Sequence, residues 1–524
     1  VTSVPETTVR SVTLDLLRTF GMTTIFGNPG STELPMFRDF PPDFRYVLGL
    51  QESIVVGMAD GFAQASRNAA LVNLHSSAGV GHALGNVFTA FRNQTPLVIT
   101  AGQQARSILP YQPFLFAEEA AEFPKPFVKW SVEPARAQDV PGAIARAYHC
   151  AMQPPCGPVF VSIPVDDWDQ PCPPVVPRKV SRTVAGDPAM LAEVAHTLAN
   201  AANPVIVAGA GVARDNAWDG LIALAERHRA PVWVAPFAAR NSFPENHPLF
   251  AGFLPAAREA IVARLTGHDL VLVLGGPLSL YHVEGTGPHV PDGAQVVQLT
   301  DNPAQAAAAP AGTAIVTSAG PAIAALLAGP APSVQRRAPQ ALARVPVATG
   351  SPLSDAWLLQ QIARLRPAGS IIVEEAPSSR GAMHDHLPIV APDTFYTCAS
   401  GGLGHGLPAA IGVALARPEA RVIAFLGDGS SMYAIQGLWT AAQLKLPITF
   451  IIANNGRYEA LEQFGRHFAL DSVVGTKLPR IDFVALAQAQ GVPATRVDRA
   501  DALDAALCAT FLGAGPMLLD VTIS

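Results

Sequence analysis

The spacing richest in chemistry is an acidic residue in a glycine turn followed, about two dozen residues later, by paired asparagines. The apolar run 422–426 leads into Gly427-Asp428-Gly429-Ser430, and a second apolar run leads into Asn454-Asn455. This pattern predicts strand, glycine turn, helix, strand and loop, which puts Asp428 and Asn455 at the carboxyl ends of parallel strands, where open α/β sheets hold ligands. Gly429 lets the backbone approach an anion, Ser430 opens a helix with unpaired N–H groups, and the two side chains offer hard oxygen ligands. Together the parts describe a site for magnesium and a diphosphate. The tetrapeptide alone is equally well read as a tight strand-to-helix connection.

A second set of polar residues lies near the amino terminus. A short strand, 23–26, runs into Gly27-Asn28-Pro29-Gly30-Ser31. Ser31 then stands at a strand's carboxyl end, or else caps a helix beginning near Glu33. Glu52 follows the buried strand 46–50 and opens a helix, where the dipole alone favours a carboxylate. His75 follows the strand 70–74 and precedes a glycine-rich turn, 76–82, a place where histidine is more often a hydrogen-bonded structural residue. What makes Ser31, Glu52 and His75 candidates is convergence, since all three emerge at corresponding strand ends of one predicted sheet.

The elements that must position these residues repeat along the chain. A total of 524 residues is too long for one core, and the α/β alternation predicts three domains, 1–182, 183–345 and 346–524, each a mainly parallel sheet flanked by helices. Composition is 49% hydrophobic and only 15% charged, with 43 Gly and 48 Pro, which predicts large cores joined by many turns. A net charge of −6 without a basic cluster gives no electrostatic reason to expect nucleic acid. The five cysteines form no C-x-x-C pair, so the simplest compartment is a reducing cytoplasm. The longest apolar runs, such as 270–274, are strand-sized, and no membrane span is expected. In the middle third, Gly209-Ala210-Gly211 lacks the third glycine of a dinucleotide fingerprint. Tyr281-His282 there reads as a surface loop.

Asp428 to Asn455 resembles the thiamine-diphosphate signature, and the likeness extends nearly end to end. The matching segments are FGNPGS at 26–31, LQE at 50–52, NLHS at 73–76, TAGQQ at 100–104, APVWVAP at 230–236, Tyr281-His282, GGLG at 401–404, LPAAIGV at 407–413 and LWTAAQ at 438–443. The chain is thus similar to the thiamine-diphosphate-dependent 2-oxo acid decarboxylases. The resemblance implies thiamine diphosphate and Mg2+ (or Ca2+) as cofactors, with Asp428, Asn455 and the carbonyl of Arg457 on the metal. It implies that Asn28, Gly30, Ser378, Gly401, Leu403, Gly429, Ser430 and Tyr458 contact the cofactor, Leu403 as the wedge that bends it. Glu52 would be the acid/base on the pyrimidine, Ser31 would hold the substrate carboxylate, and His75 and His282 would relay protons. It further implies self-association as a dimer or tetramer, with Glu52 of one copy meeting the cofactor of another.

The substrate expected is a small 2-oxo acid. Relatives acting on pyruvate carry adjacent histidines where this chain has Phe114-Leu115, which favours an aromatic acid such as phenylglyoxylate, converted to benzaldehyde and CO2, with carboligation as a possible side activity. Its ring would meet Leu115, Ala460, Leu461 and Phe464. Thr397 stands where an aromatic residue is expected, Thr476 where an aliphatic one is expected, and Pro377 where a hydroxyl is expected. These departures keep open other aliphatic or branched 2-oxo acids, and a cofactor-binding protein without turnover is the third alternative.

Overall fold

The computed structural model describes residues 7–336, 342, 345–350 and 352–524. The chain forms two compact units, one of Val1–Ser181, Thr349–Ser379 and Ser400–Ser524, the other of Arg182–Ala348 and Arg380–Ala399. Parts of the first two expected domains, 1–6 and 337–341 among them, lie outside the described residues.

The first unit holds two parallel sheets. One comprises β1 (Thr24–Gly27), β2 (Arg45–Leu48), β3 (Ala70–Leu74), β4 (Leu97–Gln103), β5 (Ser131–Val132) and β6 (Val159–Pro164), in the order β2-β1-β3-β4-β6-β5. Its strands are near-continuous apolar runs because helices cover both faces, as parallel sheets require. The second unit carries β7 (Pro204–Ala208), β8 (Val232–Val234), β9 (Phe250–Phe253), β10 (Leu270–Leu274), β11 (Gln295–Thr300), β12 (Thr313–Val316), ordered β12-β11-β10-β7-β8-β9, and the short β14 (Phe395–Thr397). In the first unit again, β13 (Ile371–Glu375), β15 (Val422–Gly427), β16 (Ile448–Asn454), β17 (Ala494–Val497) and β18 (Met517–Thr522) run in the order β13-β15-β16-β18-β17. Every pair in that run is parallel.

Two helices join the sheets of the first unit, Glu52–Ser66 and Gly406–Ala416. They approach so closely that a Cβ on Gly412 would lie 1.9 Å from the Met58 carbonyl, and one on Gly61 would lie 2.1 Å from that of Ala409. Glycine inside a helix costs about 1 kcal/mol relative to alanine. Here it lets the two backbones touch. Beside this crossing, the buried Asp60 carboxylate accepts from His405 Nε2 at 2.7 Å, from Gln64 and from Asn93. Burial opposes charge on both members of the pair, yet each holds the other charged, Asp60 below and His405 above its usual range.

The structure departs from the sequence reading in two places. Residues 76–82 are not a turn but the first turns of the helix Ser76–Asn93, because that helix packs on the sheet and tolerates its glycines. The helix expected near Glu33 is a single 3-10 turn, Leu34–Phe37, with Pro35 inside it and no side-chain cap, so Ser31 caps nothing. Within the second unit, Thr397 N–H donates to the Ala239 carbonyl and His384 bonds Glu245. In that unit the glycines 209 and 211 serve close backbone packing, a Cβ on either lying within 2.7 Å of the Gly275 carbonyl oxygen.

Candidate active site

At the carboxyl end of the first sheet, three loops meet. The Glu52 side chain is 12% exposed and sits in the first turn of its helix, with Gln51 as cap accepting from the N–H groups of Ser53 and Ile54. Its Oε2 lies 3.2 Å from His82 Nδ1, and its Oε1 lies 3.5 Å from Asn28 Nδ2, at the limit of a hydrogen bond. Gly79 separates Glu52 from His75, since a Cβ there would be 3.4 Å from Glu52 Oε1 and 3.5 Å from His75 Cβ. Gly30 lies flat against the His75 ring, a Cβ on it reaching to 2.0 Å from Nδ1. Only glycine fits that position. Asn28, Gly30, Glu52 and His75 are therefore brought together, and Ser31, exposed, is next to Gly30 in the same loop. Ser76 Oγ donates to the Leu115 carbonyl at 2.8 Å, which draws the 108–116 loop beside His75.

The carboxyl end of the third sheet is built from oxygen atoms and backbone N–H groups. Asp428 opens the short helix Asp428–Met432 and accepts from Gly429 N–H at 2.7 Å, Gly456 N–H at 2.7 Å and Arg457 N–H at 3.2 Å. The same Arg457 N–H lies 3.1 Å from Asn455 Oδ1, so both candidate ligands sit around one amide. Burial pushes the Asp428 carboxyl up while those amides pull it down. A divalent cation would offset the remaining burial cost, and one carboxylate with an amide oxygen and a backbone carbonyl would suit Mg2+, whose charge would neutralise a diphosphate. The residues present thus fit the metal.

Around that turn lie the other candidate cofactor contacts. The Tyr458 ring covers Gly429, where a Cβ would meet Cε1 at 2.1 Å. Ser430 is buried, and Ser378 Oγ accepts from Ala460 N–H at 3.1 Å. Gly401 and Gly404 have φ of +70° and +94°, left-handed values that glycine adopts without strain and that shape the loop bearing Leu403. Beneath that loop, Glu375 accepts from the N–H groups of Gly404 at 2.6 Å and Gly406 at 2.5 Å. Burial pushes its carboxyl up to about 7 against the pull of those amides and of His405. The helix Glu459–His467 carries Ala460, Leu461 and Phe464, and buried Thr476 donates to Glu462 Oε1 on it at 3.0 Å.

Two candidates belong to the second unit. His282 is exposed in a loop, its ring edge-on to Phe237 at 5.7 Å and its N–H donating to the Ala256 carbonyl. Thr397 is buried, with Arg380 donating to its hydroxyl at 3.0 Å. Sequence reasoning missed His82 as the partner of Glu52, Asn86, whose amide bonds the carbonyls of Ser53 and Gly404, and Glu375. The adjacent acids Glu374-Glu375 at the end of an apolar run were the available signal for the last.

Residues 7–119, 191–326 and 377–521 match the N-terminal TPP binding, central and C-terminal TPP binding domains of the thiamine pyrophosphate enzymes. Benzoylformate decarboxylase of Pseudomonas aeruginosa is 45% identical over 520 residues, 98% of each chain. The crystal structure of benzoylformate decarboxylase from Polynucleobacter necessarius superposes with a TM-score of 0.96 at 41% identity, covering 99% of this chain and 98% of that one. A thiamine diphosphate-dependent 4-hydroxybenzoylformate decarboxylase of Rhodococcus jostii gives 0.96 at 41%, covering 99% of both. With cofactor-binding modules at both ends and a full-length match of this closeness, the chain belongs to the thiamine-diphosphate-dependent 2-oxo acid decarboxylases.

Proposed function

We propose that the protein decarboxylates an aromatic 2-oxo acid, phenylglyoxylate, to benzaldehyde and CO2. The observation that carries this reading is the gathering of Glu52, His75 and the Asn28–Ser31 loop at one sheet end, in a chain similar along its whole length to benzoylformate decarboxylases. Asp428, Asn455 and the Arg457 carbonyl would hold Mg2+. Ser378, Gly429, Ser430 and Tyr458 would line the diphosphate, and Gly401 and Leu403 the aminopyrimidine. Thiamine diphosphate, when bound, supplies the electron sink for the pair left by departing CO2. Glu52 holds the proton exchanged with the pyrimidine, and Ser31 fixes the substrate carboxylate. His75 and His282 move protons to and from the reacting carbon and oxygen. Leu115, Thr397, Ala460, Leu461, Phe464 and Thr476 would surround the ring.

The same reading assigns domains 1–182, 183–345 and 346–524, a dimer or tetramer whose sites combine Glu52 of one copy with Asp428 of another, and a cytoplasmic location. No described helix is long and apolar enough to cross a membrane, and the acidic balance offers no nucleic-acid surface. Purified protein supplied with thiamine diphosphate and Mg2+ should show its highest kcat/KM on phenylglyoxylate or its 4-hydroxy analogue. A higher kcat/KM on 2-oxo-isocaproate would replace the aromatic reading with a branched aliphatic one. Cofactor binding with no CO2 from any acid would leave only a binding protein.

A further inference from the structure

Glu33 has no part in the reading above, yet it is a buried carboxylate whose two oxygens are both engaged beside the candidate site. Its side chain is 1% exposed. Oε2 accepts from Gly30 N–H at 2.9 Å and faces His75 Nδ1 at 2.9 Å, while Oε1 accepts from Gly102 N–H at 2.9 Å and from Thr32 Oγ1 at 2.5 Å. A buried acceptor of this kind is costly without partners. Here four partners converge on it, Gly30 and Thr32 from its own loop, His75 from the end of β3 and Gly102 from β4.

The arrangement decides which nitrogen of His75 carries hydrogen. A carboxylate accepts only, and the Thr32 hydroxyl, its hydrogen spent on Glu33, presents lone pairs to the same Nδ1 at 3.2 Å. Nδ1 therefore has two acceptors and must donate. Gly30, flat against the ring, removes the room for it to turn away. Nε2 makes no hydrogen bond to the described residues and is left to exchange protons.

We propose that Glu33 is a positioning residue for His75, locking the imidazole as the Nδ1–H tautomer so that Nε2 is the atom that takes up and releases protons during turnover. The proposal rests on the assignment of His75 to proton relay, and a buried carboxylate orienting an imidazole in this way is an established physical device.

The test begins with the unaltered full-length protein. In histidine-selective 15N NMR under mildly alkaline conditions, with the His75 resonances assigned by their loss in His75→Ala, the proposal expects the Nδ1–H pattern. An Nε2–H pattern overturns it, and this holds whether or not phenylglyoxylate proves to be the substrate. In Glu33→Gln, an amide N–H facing Nδ1 should switch His75 to Nε2–H and lower kcat by on the order of 100-fold, with KM changed by less than about threefold. A folded Glu33→Gln protein with unchanged tautomer and kcat contradicts the proposal. Should that variant fail to fold, Thr32→Val, which removes one acceptor at Nδ1, should leave the tautomer in place but broaden the ring resonances, and a sharp unshifted signal would count against the lock. Full turnover in His75→Ala, with Nδ1–H still seen in the unaltered protein, would instead strike the function assigned to His75.

Discussion

The two sheets of the first unit are laid out alike and used differently. Beside its edge strand β2 the first sheet runs β1-β3-β4-β6-β5 and the other runs β13-β15-β16-β18-β17; in both, all these pairs are parallel and the last strand in chain order lies inside the one before it. Both carry their candidate residues at the carboxyl ends of strands, as open α/β sheets do. In the amino-terminal sheet those loops carry Glu52 and His75, the side chains proposed to exchange protons, each bonded to another side chain. In the carboxyl-terminal sheet they carry Asp428 and Asn455 around backbone amides, suited to a fixed cation and anion. On the proposed function one scaffold supplies the acid–base half and the other the anchoring half, a division of labour that would lie in loop residues and not in topology.

This contrast predicts different kinetic signatures. The largest effect is expected from Glu52→Gln, which should lower kcat on phenylglyoxylate by roughly 10²- to 10⁴-fold while thiamine diphosphate still binds, measured by steady-state kinetics beside calorimetric titration. Asp428→Ala should do the reverse, weakening cofactor affinity by on the order of 100-fold, with turnover partly recovered at high cofactor and Mg2+. If Asp428→Ala alters only kcat, and Glu52→Gln only affinity, the two halves have been assigned the wrong way round.

A smaller effect separates the buried carboxylates of the two halves. Glu375 titrates near 7 in the folded chain because burial penalises its charge, against an ordinary value of 4.5. A carboxyl raised in the folded state binds its proton more tightly there, so its contribution to stability is complete below about pH 4.5 and is lost as pH rises through about 7. The Tm of Glu375→Gln relative to the unaltered protein should accordingly rise by a few degrees between pH 5 and pH 8, about the scale of 1 kcal/mol in a chain's stability. A pH-independent difference would show that Glu375 does not titrate in this window.

Much of this was legible in the sequence because strand ends are written locally. Apolar runs stop at Gly27, Leu74 and Gly427, and the polar residue that follows must emerge there. The residues that hold those side chains were not legible. Glu33 meets His75 across 42 positions and Glu52 meets His82 across 30, and no local periodicity encodes either contact. Residues 76–82 misled for a related reason, since two glycines at 79 and 81 predict a turn until the helix is seen packed beside the sheet.

The account depends on the two halves working together from different copies of the chain, and complementation tests this most directly. Glu52→Gln and Asp428→Ala chains, each nearly inactive alone at low cofactor, would be co-expressed with different tags and the mixed oligomer purified through both. A site built from the intact Glu52 of one chain and the intact Asp428 of the other would restore a large share of turnover on phenylglyoxylate. A mixed oligomer no more active than the sum of its parents would place both residues in sites within single chains and contradict the account.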